Sequence, residues 1–141
     1  MSTKKLAKAE REQLRLKYQG RCAYCGVSLG AVWHADHLKA VERKLEYVRG
    51  KELVPTGELW RPENDLLENM MPSCPPCNID KHMMSLEDWR EKLQNAPAVL
   101  ARNNPTYRHA VRFGLIEVME QPVVFFFEKN ENLAEANKAA T

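Results

Sequence analysis

Long apolar runs are missing from this chain of 141 residues: no stretch approaches the roughly 18 consecutive apolar residues of a membrane span. The N-terminal segment also lacks the apolar run of a signal peptide, which points to a soluble, intracellular protein. A large excess of charge is absent too. The formal net charge of +2 is too small to mark a nucleic-acid binder by itself. Cysteine is sparse, with four in all. Without an export signal, a reducing compartment and a bound metal suit those cysteines better than two disulfides. No internal repeat exists beyond two cysteine pairs, and the length leaves room for one compact unit with a short appendage.

The distribution of charge says more than its sum. Residues 1 to 21 carry Lys4, Lys5, Lys8, Arg11, Arg15, Lys17 and Arg21 against Glu10 and Glu12, so the remainder is net acidic. Residues 3 to 18 favour a helix with Leu6, Leu14, Leu16 and Tyr18 as apolar positions and Gly20 as its stop, either solvated or facing DNA. Arg21-Cys-Ala-Tyr-Cys-Gly26 reads as a tight metal knuckle, and extended chain then leads into His34-Ala-Asp-His37 on a strand or at its end. Residues 38 to 63 form an excursion in which residues 42 to 48 suit a helical turn or two and Pro55-Thr-Gly57 signals a turn. Residues 78 to 84 suit one or two helical turns. A helix then starts at Ser85, a good N-cap with Asp88 three residues on, and ends near Asn95. Residues 97 to 103 and 105 to 113 suit two short helices, with Gly114 closing the second. Residues 115 to 119 and 123 to 128, rich in β-branched and aromatic side chains, suit two strands of a hairpin around Pro122. The tail from Lys129 has little to bury and is expected to fray.

Cys22/Cys25 and Cys74/Cys77 each place two thiols on one tight turn, where both pairs can converge on one tetrahedral ion. A site closed by four thiolates has no open position for water or substrate, so a zinc there is structural. The 48 residues between the pairs contain Asp36, His37 and Asn69. Phosphodiester hydrolysis needs an activated water, neutralisation of the transition-state charge and stabilisation of the leaving oxygen. A histidine beside a carboxylate-bound Mg²⁺ supplies all three, which makes His37 the candidate base and Asp36 the candidate hard-oxygen ligand.

The order Cys22-x-x-Cys25, Asp36-His37, Glu68-Asn69, then Cys74-x-x-Cys77-Asn78 followed by Lys81 and His82 resembles the HNH, or ββα-metal, endonucleases in the branch with two zinc-binding cysteine pairs. The resemblance covers about residues 20 to 85. It implies an α+β fold: a small zinc-stabilised ββα-metal core over residues 21 to 95, preceded by a basic N-terminal helix over 1 to 20. A helical and β-hairpin extension follows over 96 to 128, then a flexible tail over 129 to 141. It further implies His37 as general base, Asn69 as the brace of the loop that holds the base, and Asp36, Asn78 and His82 as ligands of a catalytic Mg²⁺ or Mn²⁺. Those roles imply a DNA endonuclease leaving 5′-phosphate and 3′-hydroxyl ends, in a phage or bacterial setting, with a monomer favoured over an oligomer.

Two features depart from the family pattern. The 31 residues between His37 and Asn69 exceed those of a minimal member, and Pro72, Pro75 and Pro76 stiffen the second knuckle. Lys39, Arg43 and Lys44, with Arg49, Lys51 and the N-terminal cations, are the candidate phosphate contacts. Taken one by one, the residues have plainer readings. Asn69 and Asn78 suit turn and helix caps, His34 suits a packing or substrate-contacting residue, His109 a surface one, and Met70, Met71, Met83 and Met84 core filling. The rival from another class is a zinc-ribbon-like module that binds nucleic acid or protein and catalyses nothing.

Overall fold

A computed structural model describes residues 5–50 and 52–130, in which the chain is α+β, with two separate two-stranded antiparallel sheets and several short helices. The first helix, α1 (Lys8–Leu16), is shorter than its helical composition suggests; Lys4 lies outside the described residues. Gly20 closes the turn after it at a positive φ of 75°, which brings its N–H back to the Arg15 carbonyl at 3.0 Å. The helix is docked rather than solvated. Leu14 is buried with Trp33 and Met70, and the Arg11 guanidinium lies 3.9 Å from the Trp33 ring centroid while donating to the Trp33 carbonyl at 2.8 Å.

Strand β1 (His34–His37) is followed by β2 (Arg43–Val48) and β3 (Glu52–Leu59), which pair with each other as an antiparallel hairpin. The helical reading of residues 42 to 48 is therefore corrected. Lys44-Leu-Glu-Tyr47 alternates polar and apolar with period two, and that alternation, with Gly50 at a φ of 82° in the turn, favours a ribbon. Two single 3₁₀ turns, Pro62–Asn64 and Leu67–Asn69, bring the chain to β4 (Met70–Ser73). β4 is buried along its whole length and pairs with β1, setting Asp36 opposite Met71 and His37 opposite Met70.

Helix α2 (Pro75–Lys81) follows at once, earlier than residues 78 to 84, because Cys74 serves as its N-cap residue and the two prolines occupy first-turn positions that need no N–H. The helix packs on β1. Helix α3 (Leu86–Gln94) begins as its cap residues dictate, with the Ser85 hydroxyl accepting from the Asp88 N–H at 3.1 Å. α4 (Ala96–Asn103) and α5 (Pro105–Arg112) form the expected short pair, and Gly114 leaves the second at a φ of 71°.

The expected C-terminal β-hairpin does not form. Residues 115 to 125 have no regular structure, and residues 126 to 129 make one turn, α6 (Phe126–Lys129). The apolar residues that suggested strands are used otherwise. Phe125 is buried beside Trp89 and Tyr24, and the Phe126 and Phe127 N–H groups donate to the Tyr24 and Ala23 carbonyls at 2.9 and 2.8 Å. Arg90 holds this segment from α3 by binding the Glu128 carboxylate at 2.8 Å and the Val123 carbonyl. Met70 and Met71 fill the core as expected, whereas Met83 is exposed. The tail expected to fray from Lys129 starts later, since Lys129 ends α6, and its residues from 131 on lie outside the described residues. Among the described residues, no helix is long and apolar enough to cross a membrane.

Candidate active site and metal centre

The four cysteines meet. Their Sγ atoms all lie within 4.8 Å of one another, and Cys25 and Cys74 are 3.7 Å apart. Sulfurs at the corners of a tetrahedron with Zn–S bonds of about 2.3 Å stand about 3.8 Å apart, so the donor set fits one Zn²⁺. The backbone prepares this meeting. The Gly26 N–H returns to the Cys22 carbonyl at 3.0 Å, the Asn78 N–H to the Cys74 carbonyl at 3.0 Å, and the Ala23 N–H donates to the Pro72 carbonyl at 2.8 Å, fastening one knuckle to the strand that leads into the other. A hydrogen bond with Cys77 brings the Cys22 thiol down to about 4, against the opposing effect of burial, while the same contact and burial push Cys77 up.

A groove of about 680 Å³ runs along β1, and Asp36, His37, Asn78 and His82, the residues that sequence spacing had grouped, all line it. Asp36 is buried and fixed: its Oδ2 accepts from the Tyr24 hydroxyl at 2.5 Å and pairs with the Lys81 ammonium at 3.1 Å. Burial, and then the Asp36 charge, push the Tyr24 hydroxyl up, so it stays a donor. Lys81 has no exposed surface, and its Nζ also donates to the His37 carbonyl at 3.0 Å. A single buried cation therefore fixes the side chain of Asp36 and the backbone of His37.

His37 is held at its other end. Its Nε2 lies 2.8 Å from Asp65 Oδ1, both side chains being mostly shielded. A carboxylate only accepts, so the ring proton belongs on Nε2 and the basic lone pair on Nδ1. The Asn69 side chain makes its hydrogen bonds to backbone groups. Its Nδ2 donates to the Lys39 and Asn64 carbonyls at 2.8 and 2.7 Å, and its Oδ1 accepts from the Lys39 N–H at 3.0 Å. The Leu38 N–H adds a bond to the Asn69 carbonyl at 2.8 Å. The turn immediately after His37 is tied to residue 69 at three points.

The candidate cation ligands are less complete. Asp36, Asn78 and His82 supply a carboxylate oxygen, an amide oxygen and an imidazole nitrogen, a set that suits a hydrated divalent cation. Among the described residues, though, only the four cysteines gather three or more thiol, imidazole or carboxylate donors within reach of one ion. A cation in the groove would be held by one or two of these side chains and otherwise by water. His82 is not inside the helix, as its spacing from Asn78 suggested; it caps α2 at a positive φ of 51°, although its N–H still reaches the Asn78 carbonyl at 3.1 Å. A histidine in that strained region beside a groove is the pattern of a residue placed for use.

Of the proposed phosphate contacts, Lys39 is exposed beside the site. Lys44 is engaged within the hairpin, 3.4 Å from Glu58 and 4.8 Å from the Trp60 ring centroid. The Arg43 side chain and Lys51 lie outside the described residues. His34 lines the groove, and His109 sits on the surface beside Arg112. Sequence reasoning missed Asp65 and Tyr24. Tyr24 occupies an unspecified position of the first Cys-x-x-Cys pair, and only the fold carries Asp65 to His37 across 28 residues. A larger hollow of about 850 Å³ between α4, α5 and residues 118 to 122 holds no comparable cluster of ligating groups. Comparisons with protein-family models, curated proteins and solved structures found no match for this chain.

Proposed function

We propose that this chain is a DNA endonuclease of the HNH type, with a ββα-metal core made by β1, β4 and α2 and a structural Zn²⁺ on the four cysteines. The observation that carries the reading is His37: anchored through Nε2 by Asp65, it stands on the groove that Asp36, Asn78 and His82 share. In this reading Nδ1 takes a proton from a water whose oxygen forms a bond to phosphorus as the P–O3′ bond breaks; O3′ gains a proton from solvent. The products carry 5′-phosphate and 3′-hydroxyl ends. A divalent cation held by one or two of Asp36, Asn78 and His82, and otherwise by water, would supply charge neutralisation at the phosphate. Asn69 and Lys81 hold the base in place, one from each side of the turn at residue 38.

One observation favours the rival reading of a binding module without catalysis. Both fixed partners of Asp36 converge on one oxygen, as they would if Asp36 were an anchor for Lys81 and Tyr24 only. Plasmid cleavage with added Mg²⁺ or Mn²⁺ separates the two. The nuclease reading expects cutting that His37→Ala lowers by about 10²-fold or more while the fold survives. Undiminished cutting by His37→Ala, or no cutting by the wild-type chain with either cation, rejects it.

A further inference from the structure

Both faces of the hairpin of β2 and β3 are open, and one of them is apolar. Side chains alternate along a strand, so the cross-strand pairs Leu45 with Pro55 and Tyr47 with Leu53 share one face, and Glu46 with Val54 and Val48 with Glu52 share the other. The apolar face stands in water: Tyr47 is 74% exposed, Leu53 62% and Leu45 50%. None of them belongs to either buried apolar cluster. The other face has settled its own polar groups, with Lys44 against Glu58 and Trp60, and the Thr56 hydroxyl on the Lys44 carbonyl at 3.2 Å. A two-stranded ribbon that leaves four apolar side chains in water is normally covered by something else.

Two features identify the cover. The first is continuity, since Leu45 and Pro55 also line the groove that holds Asp36 and His37, so the apolar face runs from the candidate site outward toward the hairpin tip. The second is charge. Glu46 and Glu52 lie on the opposite face, Glu58 is turned to Lys44, and Glu42 at the foot of the ribbon lies 3.8 Å from Arg61, while exposed Arg49 stands at the tip. The ribbon's apolar face thus carries no carboxylate among the described residues, and the two that line the groove, Asp36 and Glu42, are paired with Lys81 and Arg61. We infer that this ribbon is a nucleic-acid-binding arm whose Leu45, Tyr47, Leu53 and Pro55 face packs on a DNA duplex seated at the groove. A two-stranded ribbon fits the major groove, where apolar side chains meet thymine methyls and base edges. The inference rests on the nuclease reading for the identity of the duplex, not for the ribbon's exposure.

The test measures binding rather than cutting, with the full-length chain carrying His37→Ala and a fluorescent 30-base-pair duplex read by anisotropy across a salt series. Adding Tyr47→Ser and Leu53→Ser is expected to weaken binding about tenfold without changing the slope of log affinity against log salt, because apolar contacts release no counterions. Glu46→Gln with Glu52→Gln, on the other face, is expected to leave affinity unchanged or slightly raised. Retained circular dichroism and bound zinc show that the variants fold. Unchanged affinity in the folded Tyr47/Leu53 variant overturns the inference. So does a wild-type dimer in sedimentation velocity that the same substitutions dissolve, since a second copy would then be the cover. Duplex binding that depends on the ribbon in a wild-type chain that never cuts would reject the nuclease reading and leave the ribbon's role standing. Cutting at full rate with ribbon-independent affinity would do the reverse.

Discussion

The two antiparallel ribbons of this chain share one architecture and differ in almost everything else. β1–β4 is short, four residues a strand, and β4 is wholly buried; β2–β3 is longer and mostly in water. A pair of strands is not stable by itself. β1–β4 is held because α1 and α2 pack on it and the two knuckles close around its ends, so its ladder is the smaller part of its stability. β2–β3 holds its shape through its own ladder and turn, and that ladder sits between His37 and Asn69 without disturbing either. On the proposed reading, stability and recognition fall to different ribbons, and the residues proposed to do chemistry stand where the two join.

The largest way to test that division is to remove the ion from the metal-loaded chain. Zinc on four thiolates contributes on the order of 10 kcal/mol at neutral pH, comparable with the roughly 5–15 kcal/mol that holds a domain together. Chelation or Cys74→Ser is expected to unfold the β1–β4 frame, seen as loss of near-ultraviolet circular dichroism; a frame that stays folded without metal would break the comparison. Lys81→Met comes next. It strands the buried Asp36 charge and should cost about 3–5 kcal/mol in urea denaturation, with much of that recovered when Asp36→Asn is added. A smaller and more local effect is expected of Gly50→Ala. The glycine has a φ of 82° and open space around it, so only strain of about 1 kcal/mol is at stake. Amide exchange should accelerate in residues 43 to 59 while the melting temperature holds, and a global shift would mean the ribbons are coupled.

The smallest effect is on the frame's C-terminal strap and depends on pH. A hydrogen bond from Arg90, against some burial, holds the Glu128 carboxyl below its usual range. A depressed carboxylate adds stability above the ordinary glutamate range and loses it as pH falls through its folded value. The melting-temperature gap between wild type and Glu128→Gln, worth about 1 kcal/mol at neutral pH, should therefore close on acidification.

What sequence alone revealed follows from how local each determinant is. Ser85 caps the next residue's helix and Gly114 ends another, so those elements could be read from a few neighbours. The cysteine pairs and the groove residues were legible because tight turns and a short strand fix their spacing. The β2–β3 hairpin was misread because charged residues that also suit a helix obscured a period of two. The C-terminal apolar run was misread for a different reason: its residues favour strands, but Tyr24 and Trp89 offered Phe125 and Phe127 an aromatic pocket instead. Asp65 could not be found at all from sequence. Its partnership with His37 exists only once the intervening ribbon has been folded out of the way.

The contact between Phe125, Phe127 and Tyr24 also sets an order of events at the ribosome. Synthesis runs from the N-terminus, so Cys22, Asp36 and His37 emerge long before the aromatic residues that cover Tyr24. Tyr24 positions Asp36, and its own packing is complete only when the chain has been made as far as Phe127. A nascent chain shorter than that lacks the finished packing around Tyr24, and with it the full support of Asp36.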